Sequence, residues 1–398
     1  MTATPSATEP TDDYLRAEIV VDLSVIRRNV EQLCHAVAAG TDGPAVMVVV
    51  KADGYGHGLF GSARAARAGG ATWLGVAERE EALDLRGDGD TGRILAWLSM
   101  PGEDFGTLIE ADIDVAAYST QQLAEIADAA RTLGRPARVH LKIDTGLSRG
   151  GAPIAEWADL VAAARTAEEA GEVSVVGIWS HLACADEPDH PSNDEQEGVF
   201  EAALEVADEA GLKPEVRHLS NSAAALLRPS AWYDLVRFGI AAYGFSPAPA
   251  VTSAEDLGLV PAMTVRAKAA LTKDLVPGDS VSYGHTWTID APTRVALVPL
   301  GYGDGIPRHA SSTAQVAVRG TRGRLLGRVC MDQIVVEAPR GTIAGDEVVL
   351  FGPGTGGEPT AQDWAEWSDT ISYEIVTRIG GNAGRAERRW IDDDGTLV

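Results

Sequence analysis

The sequence predicts an α/β protein: a (β/α)8 TIM barrel followed by a mostly β C-terminal domain that also takes in an N-terminal strand. From Val46 the chain alternates short apolar runs with amphipathic helical stretches eight times before Pro249, the repeat expected of a closed barrel. An open doubly wound sheet gives the same alternation, with no reason to stop at eight. Past about Pro249 the texture changes to short strand-like runs joined by turns such as Pro277-Gly278-Asp279. Arg16–Asp22 (RAEIVVD) reads as a strand outside the barrel count and is assigned to the second domain. The expected organisation is a disordered tail over 1–13, an N-terminal strand segment over 14–24, a barrel over 25–250 and a β domain over 251–398.

The elements follow in order. Residues 1–13 are rich in Thr, Pro, Ser and acids, a disordered composition. From Asp22 a helix is expected, with Ile26, Val30, Leu33 and Val37 at helical spacing. Ala45–Val50 is a valine-rich apolar run suited to a parallel strand buried on both faces, although a short buried helix has the same lack of periodicity. Then come helix Phe60–Ala68, strand Thr72–Val76, helix Glu78–Arg86, strand Arg93–Leu98, helix Asp104–Glu110 and strand Ile113–Ala117. Ser119 and Gln122 have capping-box spacing ahead of a helix striped by Leu123, Ile126, Ala127 and Ala130. Strand Ala137–Ile143 precedes a helix from about Pro153 with Trp157, Leu160 and Val161 on one face. Strand Val173–Ser180, helix Asp194–Ala210, strand Glu215–Leu219, helix Asn221–Leu227 and strand Asp234–Phe238 complete the repeat. Beyond it, Val260–Val276, Ser280–Ile289, Thr293–Pro299, Gln315–Val318, Arg322–Glu337 and Asp346–Phe351 are strand-like. A short helix Ala361–Trp367 and a last strand Tyr373–Arg378 are expected to end the ordered part.

Composition bounds the function. A net charge of −25 over 398 residues disfavours nucleic acid or an anionic membrane surface as partner. The three cysteines, Cys34, Cys184 and Cys330, have neither disulfide nor metal spacing and suit a reducing cytoplasm, and no metal site is expected. No stretch reaches membrane-spanning length, so a soluble, cytoplasmic protein is expected.

Barrel active sites lie at the C-terminal ends of the strands. The first strand ends in Lys51, with glycines at 54, 56 and 58 and Tyr55 among them. A desolvated lysine there can form a Schiff base, whereas one that snorkels into solvent does nothing chemical. The fifth strand ends in HLKIDTGLSRGG, with Lys142, Asp144 and Arg149, and the sixth in Ser180-His181. The seventh ends in His218 and Ser220-Asn221-Ser222, and the eighth in Arg237 and Gly239-Ile240. Solvation accounts for part of this polarity. The anion-friendly groups after strands seven and eight are less expected, and a lysine facing a phosphate site points to pyridoxal phosphate (PLP). A phosphosugar aldolase would use similar parts.

VVVKADGYGHG, HLKIDTGLSRGG, SHLACADEP, VRFGIAAYG, SYGHTW, GYGDG and GRVCMDQ, in this order from about Arg16 to Arg378, resemble the alanine racemases. The resemblance implies a PLP-binding barrel plus a β domain in a homodimer acting on L- and D-alanine, the barrel of one subunit facing the β domain of the other. It implies that Lys51 holds PLP covalently and that Tyr55, Ser222, Gly239, Ile240 and Tyr373 bind its phosphate. Arg237, held by His218, would contact the pyridine nitrogen. His181 would lie near the ring, and Arg149 would contact the site. Lys142 matches a lysine often carbamylated in the family, which would make it an anionic partner for Arg149. Lys51 and the partner subunit's Tyr283 would be the two bases. Tyr302 and Met331-Asp332, also from the partner, match the access corridor and the substrate carboxylate site, with the Met331 N–H as a donor. The product would supply peptidoglycan. After Ile379 the family usually runs through an Arg-Val-Pro-Arg-like segment, whereas this chain reads GGNAGRAERRW, which leaves the docking of its last strand open.

Plainer readings stand beside these. Tyr283 suits a cross-strand aromatic pair, Asp144 and Thr145 suit a turn cap, and Cys330 and Met331 suit packing. The nine tryptophans show no cage pattern. Rival functions are a racemase of serine or broader substrate, a non-catalytic PLP-carrier barrel and a Schiff-base aldolase. The carrier leaves the second domain unexplained, and the aldolase leaves Arg237 and Tyr283 unexplained.

Overall fold

The computed structural model describes residues 15–38, 43–380 and 386–398. The expected tail over 1–13 lies outside them. The chain divides into two compact units, Leu23–Val260 and a second formed by the segment through Asp22 together with Pro261–Val398. Among the described residues no helix is long and apolar enough to cross a membrane.

β1 (Ala17–Asp22) belongs to the second unit. The first unit carries β2 (Ala45–Val49), β3 (Trp73–Val76), β4 (Arg93–Ala96), β5 (Asp114–Ala117), β6 (Ala137–Lys142), β7 (Val173–Trp179), β8 (Val216–His218) and β9 (Leu235–Phe238). They form one eight-stranded sheet in the order β8-β7-β6-β5-β4-β3-β2-β9, every neighbouring pair parallel. The Asp234 N–H donates to Arg217 O at 3.0 Å and the Arg237 N–H to Ser220 O at 3.2 Å, so β9 also returns to the β8 segment. The barrel is closed, and the doubly wound alternative is excluded.

The local sequence explains these elements. Val46, Met47, Val48 and Val49 are all buried, as a strand covered on both faces requires. Helix Leu23–Val37 buries Ile26, Val30, Leu33 and Val37, and helix Thr120–Leu133 buries Leu123, Ile126, Ala127 and Ala130. Ser119 Oγ accepts from the Gln122 N–H at 3.2 Å. The Gln122 side chain, however, accepts from the Tyr118 N–H, so the reciprocal half of the box falls one residue earlier.

The second unit departs further from expectation. β1 pairs antiparallel with β10 (Met263–Lys268), but the run to Val276 is broken at Ala269-Ala270 and β11 (Leu271–Leu275) joins another sheet. Ser280–Ile289 is two short strands, β12 (Ser280–Val281) and β13 (Trp287–Thr288), around a turn. β14 (Thr293–Val298) sits between β11 and β17 (Ile334–Glu337). β15 (Gln315–Val318) pairs with β16 (Thr321–Arg324), so Arg322–Glu337 is two strands separated by a loop. β18 (Glu347–Phe351) and the last strand, β19 (Glu387–Ile391), complete a six-stranded sheet ordered β16-β15-β18-β10-β1-β19.

The expected strand Tyr373–Arg378 is a helix, Ser372–Arg378. Ile371, Tyr373 and Ile375 alternate like a strand, but the buried residues are Ser372, Ile375, Val376 and Ile379, a helical spacing. The strand comes later, where Glu387–Ile391 pairs parallel with β1. Within the unusual C-terminal sequence, residues 387–390 thus belong to a strand at the sheet edge.

Candidate active site

Lys51 leaves β2 into a left-handed turn. Ala52, Asp53, Gly54 and Tyr55 take φ of +54°, +54°, +60° and +53°, and Gly56 takes +79°. Left-handed geometry costs an L-residue about 1–2 kcal/mol, so the turn must be held. The Ala52 N–H donates to Glu81 Oε1 at 2.6 Å and the Leu59 N–H to Asp53 Oδ1 at 2.8 Å. Backbone bonds Gly54 N–H to Val50 O and Gly56 N–H to Ala52 O close it. Strain so supported at a strand end marks a place where side-chain direction matters. Burial, and then the charge of Arg149, push the Lys51 ammonium pKa down against an opposing pull from Glu81.

β6 delivers Lys142, 6% exposed, with Nζ 4.4 Å from the Trp179 ring centroid and 5.2 Å from that of Tyr118. Burial, then Arg237 and Arg149, push its pKa down to about 8. Asp144 accepts from the N–H groups of Gly146 and Ser148 at 3.0 and 3.1 Å, so it caps the turn as the plainer reading held. Thr145 bonds Ser180 and Gln196 rather than the cap. Arg149, beyond this turn, is exposed within its unit.

Arg237 lies at the centre of the mouth, 4% exposed. Its guanidinium donates to Ser180 O at 2.9 Å, Leu219 O at 3.0 Å, and the Nδ1 atoms of His218 and His181, each at 3.2 Å. Burial, then Arg237, hold both imidazoles well below their ordinary pKa. Both are neutral acceptors toward the arginine.

The loops after β8 and β9 form a tight corner. The Gly239 N–H donates to Ser222 Oγ at 2.8 Å, and a Cβ on Gly239 would lie 2.4 Å from the Tyr55 hydroxyl. Ile240 follows at the start of a 3-10 turn. Lys51, Tyr55, Lys142, His181, His218, Ser222, Arg237, Gly239 and Ile240 thus come from the C-terminal ends of β2, β6, β7, β8 and β9.

The remaining candidates belong to the second unit. Tyr283 sits in the turn between β12 and β13, not on a strand, and is 68% exposed. That turn is left-handed at Ser282 (+64°), Gly284 (+73°) and His285 (+47°), and Ser282 Oγ pins it to Arg328 O at 2.6 Å. Ser282 Oγ also lies 3.4 Å from Cys330 Sγ, a polar contact where simple packing was expected. Tyr302 N–H donates to Cys330 O and Gly303 N–H to Met331 O, so the loops bearing Tyr283, Tyr302, Met331 and Asp332 are tied together. Tyr302 and Met331 are 40% and 53% exposed, which excludes a gap-filling role for Met331. Tyr373 is on helix Ser372–Arg378, whose last carbonyl residues pack against Gly305 beyond Tyr302.

Sequence reasoning missed the aromatic walls. Trp97 and Trp179, 5.9 Å apart, line the mouth, with Lys51 Nζ 5.9 Å from the Trp97 ring and Arg237 5.1 Å from that of Trp179. Their places just after β4 and at the end of β7 are the signal that could have found them. Glu81, Asp114 and His140 were missed too.

The alanine racemase N-terminal domain family matches residues 21–247, and the alanine racemase C-terminal domain family matches residues 262–387. An alanine racemase of Salinispora arenicola is 52% identical over 366 residues, 92% of this chain and 96% of its own. One of Thermobifida fusca is 53% identical over 370 residues, 93% of this chain and 97% of its own. The solved alanine racemase of Streptomyces coelicolor A3(2) matches with a TM-score of 0.92 at 49% identity, covering 96% of this chain and 100% of that one. That of Streptomyces lavendulae gives 0.91 at 48%, covering 95% and 97%. With both units matched and the likeness running nearly end to end, the chain belongs to the alanine racemase family.

Proposed function

We propose that this chain interconverts L- and D-alanine with PLP held on Lys51, and that the D-alanine feeds peptidoglycan. The observation that carries the reading is one barrel mouth that joins a lysine of lowered proton affinity to the corner made by Tyr55, Ser222 and Gly239. The donor set fits the cofactor. Ser222 accepts from Gly239, which leaves its own hydroxyl proton for a phosphate oxygen, and Tyr55, the Ile240 N–H and Tyr373 would add to that grip. Arg237 would meet the pyridine nitrogen, and His181 would lie beside the ring.

PLP, when bound, supplies an electron-withdrawing ring that acidifies the substrate Cα–H. Lys51, more readily neutral because it is half-buried, takes or returns the proton on one face. The partner subunit's Tyr283 serves the other face in a homodimer, for which the exposed Tyr283, Tyr302 and Met331 offer an apolar and aromatic surface to cover. Arg149 and the Met331 N–H hold the substrate carboxylate, while Tyr302 and Asp332 narrow the access corridor. Arg237 donates a hydrogen bond without surrendering its proton, so a nitrogen set against it would stay unprotonated and side reactions would be suppressed. Lys142, pushed down to about 8, is partly neutral near physiological pH. Its amine can therefore add to carbon dioxide with loss of one proton, and the resulting carbamate pairs with Arg149. The free thiols Cys34, Cys184 and Cys330 suit the cytoplasm.

The test is D-alanine formation from L-alanine by the purified, PLP-loaded protein, with L-serine in parallel. Fast turnover of alanine and slow turnover of serine are expected. Turnover of neither by protein that holds PLP would overturn the racemase reading, and a preference for serine would replace the substrate.

A further inference from the structure

Two fully buried polar side chains inside the barrel, Asp114 and His140, have no part in the chemistry above. His140 Nδ1 lies 2.9 Å from His218 Nε2, and His140 Nε2 lies 3.3 Å from Asp114 Oδ2. With the bond from Arg237 to His218 Nδ1 at 3.2 Å, these contacts form an unbroken chain Arg237–His218–His140–Asp114. It starts at the catalytic mouth on β9 and ends at the first residue of β5, at the opposite end of the barrel. We infer that His140 and Asp114 are positioning residues which, through His218, fix the orientation and hydrogen-bonding state of Arg237.

The chain has a single direction. A guanidinium only donates and a carboxylate only accepts. Each imidazole between them must accept on one nitrogen and donate from the other, so both are neutral. Only one assignment satisfies all three bonds: His218 and His140 both carry their proton on Nε2. A proton on His218 Nδ1 would set N–H against N–H at Arg237, and a cationic His140 would do the same toward His218. Asp114 is held ionised: burial would raise its pKa, but the His140 hydrogen bond and the charges of Arg138 and Arg93 outweigh it. Arg93 fixes the carboxylate at 2.7 Å, and Arg138 binds its other oxygen.

The packing is shaped around this chain. A Cβ on Gly177 would lie 2.0 Å from His140 Nδ1, so the neighbouring strand β7 leaves out a side chain where the ring sits. The β6–β7 register shifts between Val139 and His140. Trp179 stacks on His218 at 5.3 Å and 5°, and Trp73 meets His140 edge-on at 5.5 Å. Apolar residues would fill this space at lower desolvation cost. A polar chain kept in a barrel interior and ending on Arg237 is explained by what it does to Arg237.

The inference rests on the PLP reading only for its functional arm. The primary test is 15N NMR of the imidazoles in the full-length protein, with and without PLP. His140 and His218 are expected as neutral Nε2–H tautomers in both. A cationic ring or an Nδ1–H tautomer at either position overturns the chain, whether or not any variant folds. In His140→Leu and Gly177→Ala, His218 is expected to lose its fixed tautomer, and pyruvate release by side transamination of alanine should rise roughly tenfold. His140→Gln, which can still accept and donate, should restore much of both. A folded His140→Leu protein with unchanged His218 signals and pyruvate release would reduce the chain to core filling. If PLP proved not to bind at Lys51, the function proposed above would fail while the tautomers still decided this inference.

Discussion

The two ends of the barrel use cationic side chains in opposite ways. At the N-terminal ends of the strands, arginines meet carboxylates. Arg93 pairs with Asp114 and Glu215, Arg138 with Asp112 and Asp114, Arg135 with Asp112, Arg67 with Asp90 and Arg217 with Asp234. At the C-terminal ends, Lys51, Lys142 and Arg237 meet aromatic faces, imidazoles and carbonyls. The nearby carboxylates there, Glu81 and Asp144, accept from backbone N–H groups. In a chain of net charge −25 this leaves a concentrated positive mouth. Paired charge at one end ties strands together, and unbalanced charge at the other suits the phosphate and carboxylate that the proposed function requires.

The comparison can be broken most sharply at Lys51. Lys51→Ala should lower D-alanine formation by about 10⁴-fold or more and abolish the visible absorbance of lysine-bound cofactor, with little change in urea midpoint. Retained absorbance would move the attachment elsewhere. Asp114→Ala strikes the other end. It strands Arg93, Arg138 and a buried His140 N–H, and should cost about 3 kcal/mol in urea unfolding. A loss below about 1 kcal/mol would make the pairing there ornamental.

Gly239→Ala tests the corner. Its methyl would meet the Tyr55 hydroxyl, and PLP affinity should fall by roughly tenfold. Unchanged affinity would remove Gly239 from the phosphate site.

The ends should also differ in pH response. Lys142 has a folded pKa of about 8 against an ordinary 10.5, so the unfolded chain binds more protons between them and stability rises with pH across that window. Lys142→Met should flatten the rise in CO2-free, cofactor-free protein. Asp114, whose folded pKa is depressed, contributes fully above its ordinary 3.8 and loses that contribution as the pH falls through the lower folded value. The smallest effect belongs to Arg135→Ala, an exposed pair with Asp112, at about 0.5 kcal/mol.

Much of the barrel was legible because each strand is a short apolar run whose end can be inspected. Lys51, His218, Arg237 and Gly239 were all read at such ends, where the structure places them. Glycines 54 and 56 announced a turn, but nothing marked Ala52, Asp53 and Tyr55 as left-handed, since Glu81 holds that geometry from outside the local sequence. His140 and His218 are 78 residues apart and meet only because β6 and β8 flank β7, where Gly177 leaves out a side chain, so no local pattern reports them. In the β unit, ISYEIV alternates like a strand, and only burial shows the helix. The Tyr283 turn was hidden by strand-forming residues on both sides.

One connection bears on how the protein is made. β1 hydrogen-bonds to β10 and β19, and the Asp22 N–H meets Ala262 O at 2.9 Å, so the barrel is an insertion whose two ends leave the β unit side by side. On the ribosome, β1 emerges first and must wait for the whole of Leu23–Val260 before β10 exists. At elongation rates of about 5–20 residues per second that is roughly 10–50 s, long compared with the folding of most domains. Vectorial synthesis thus gives the barrel a head start, and the β unit closes only once β19 has been made.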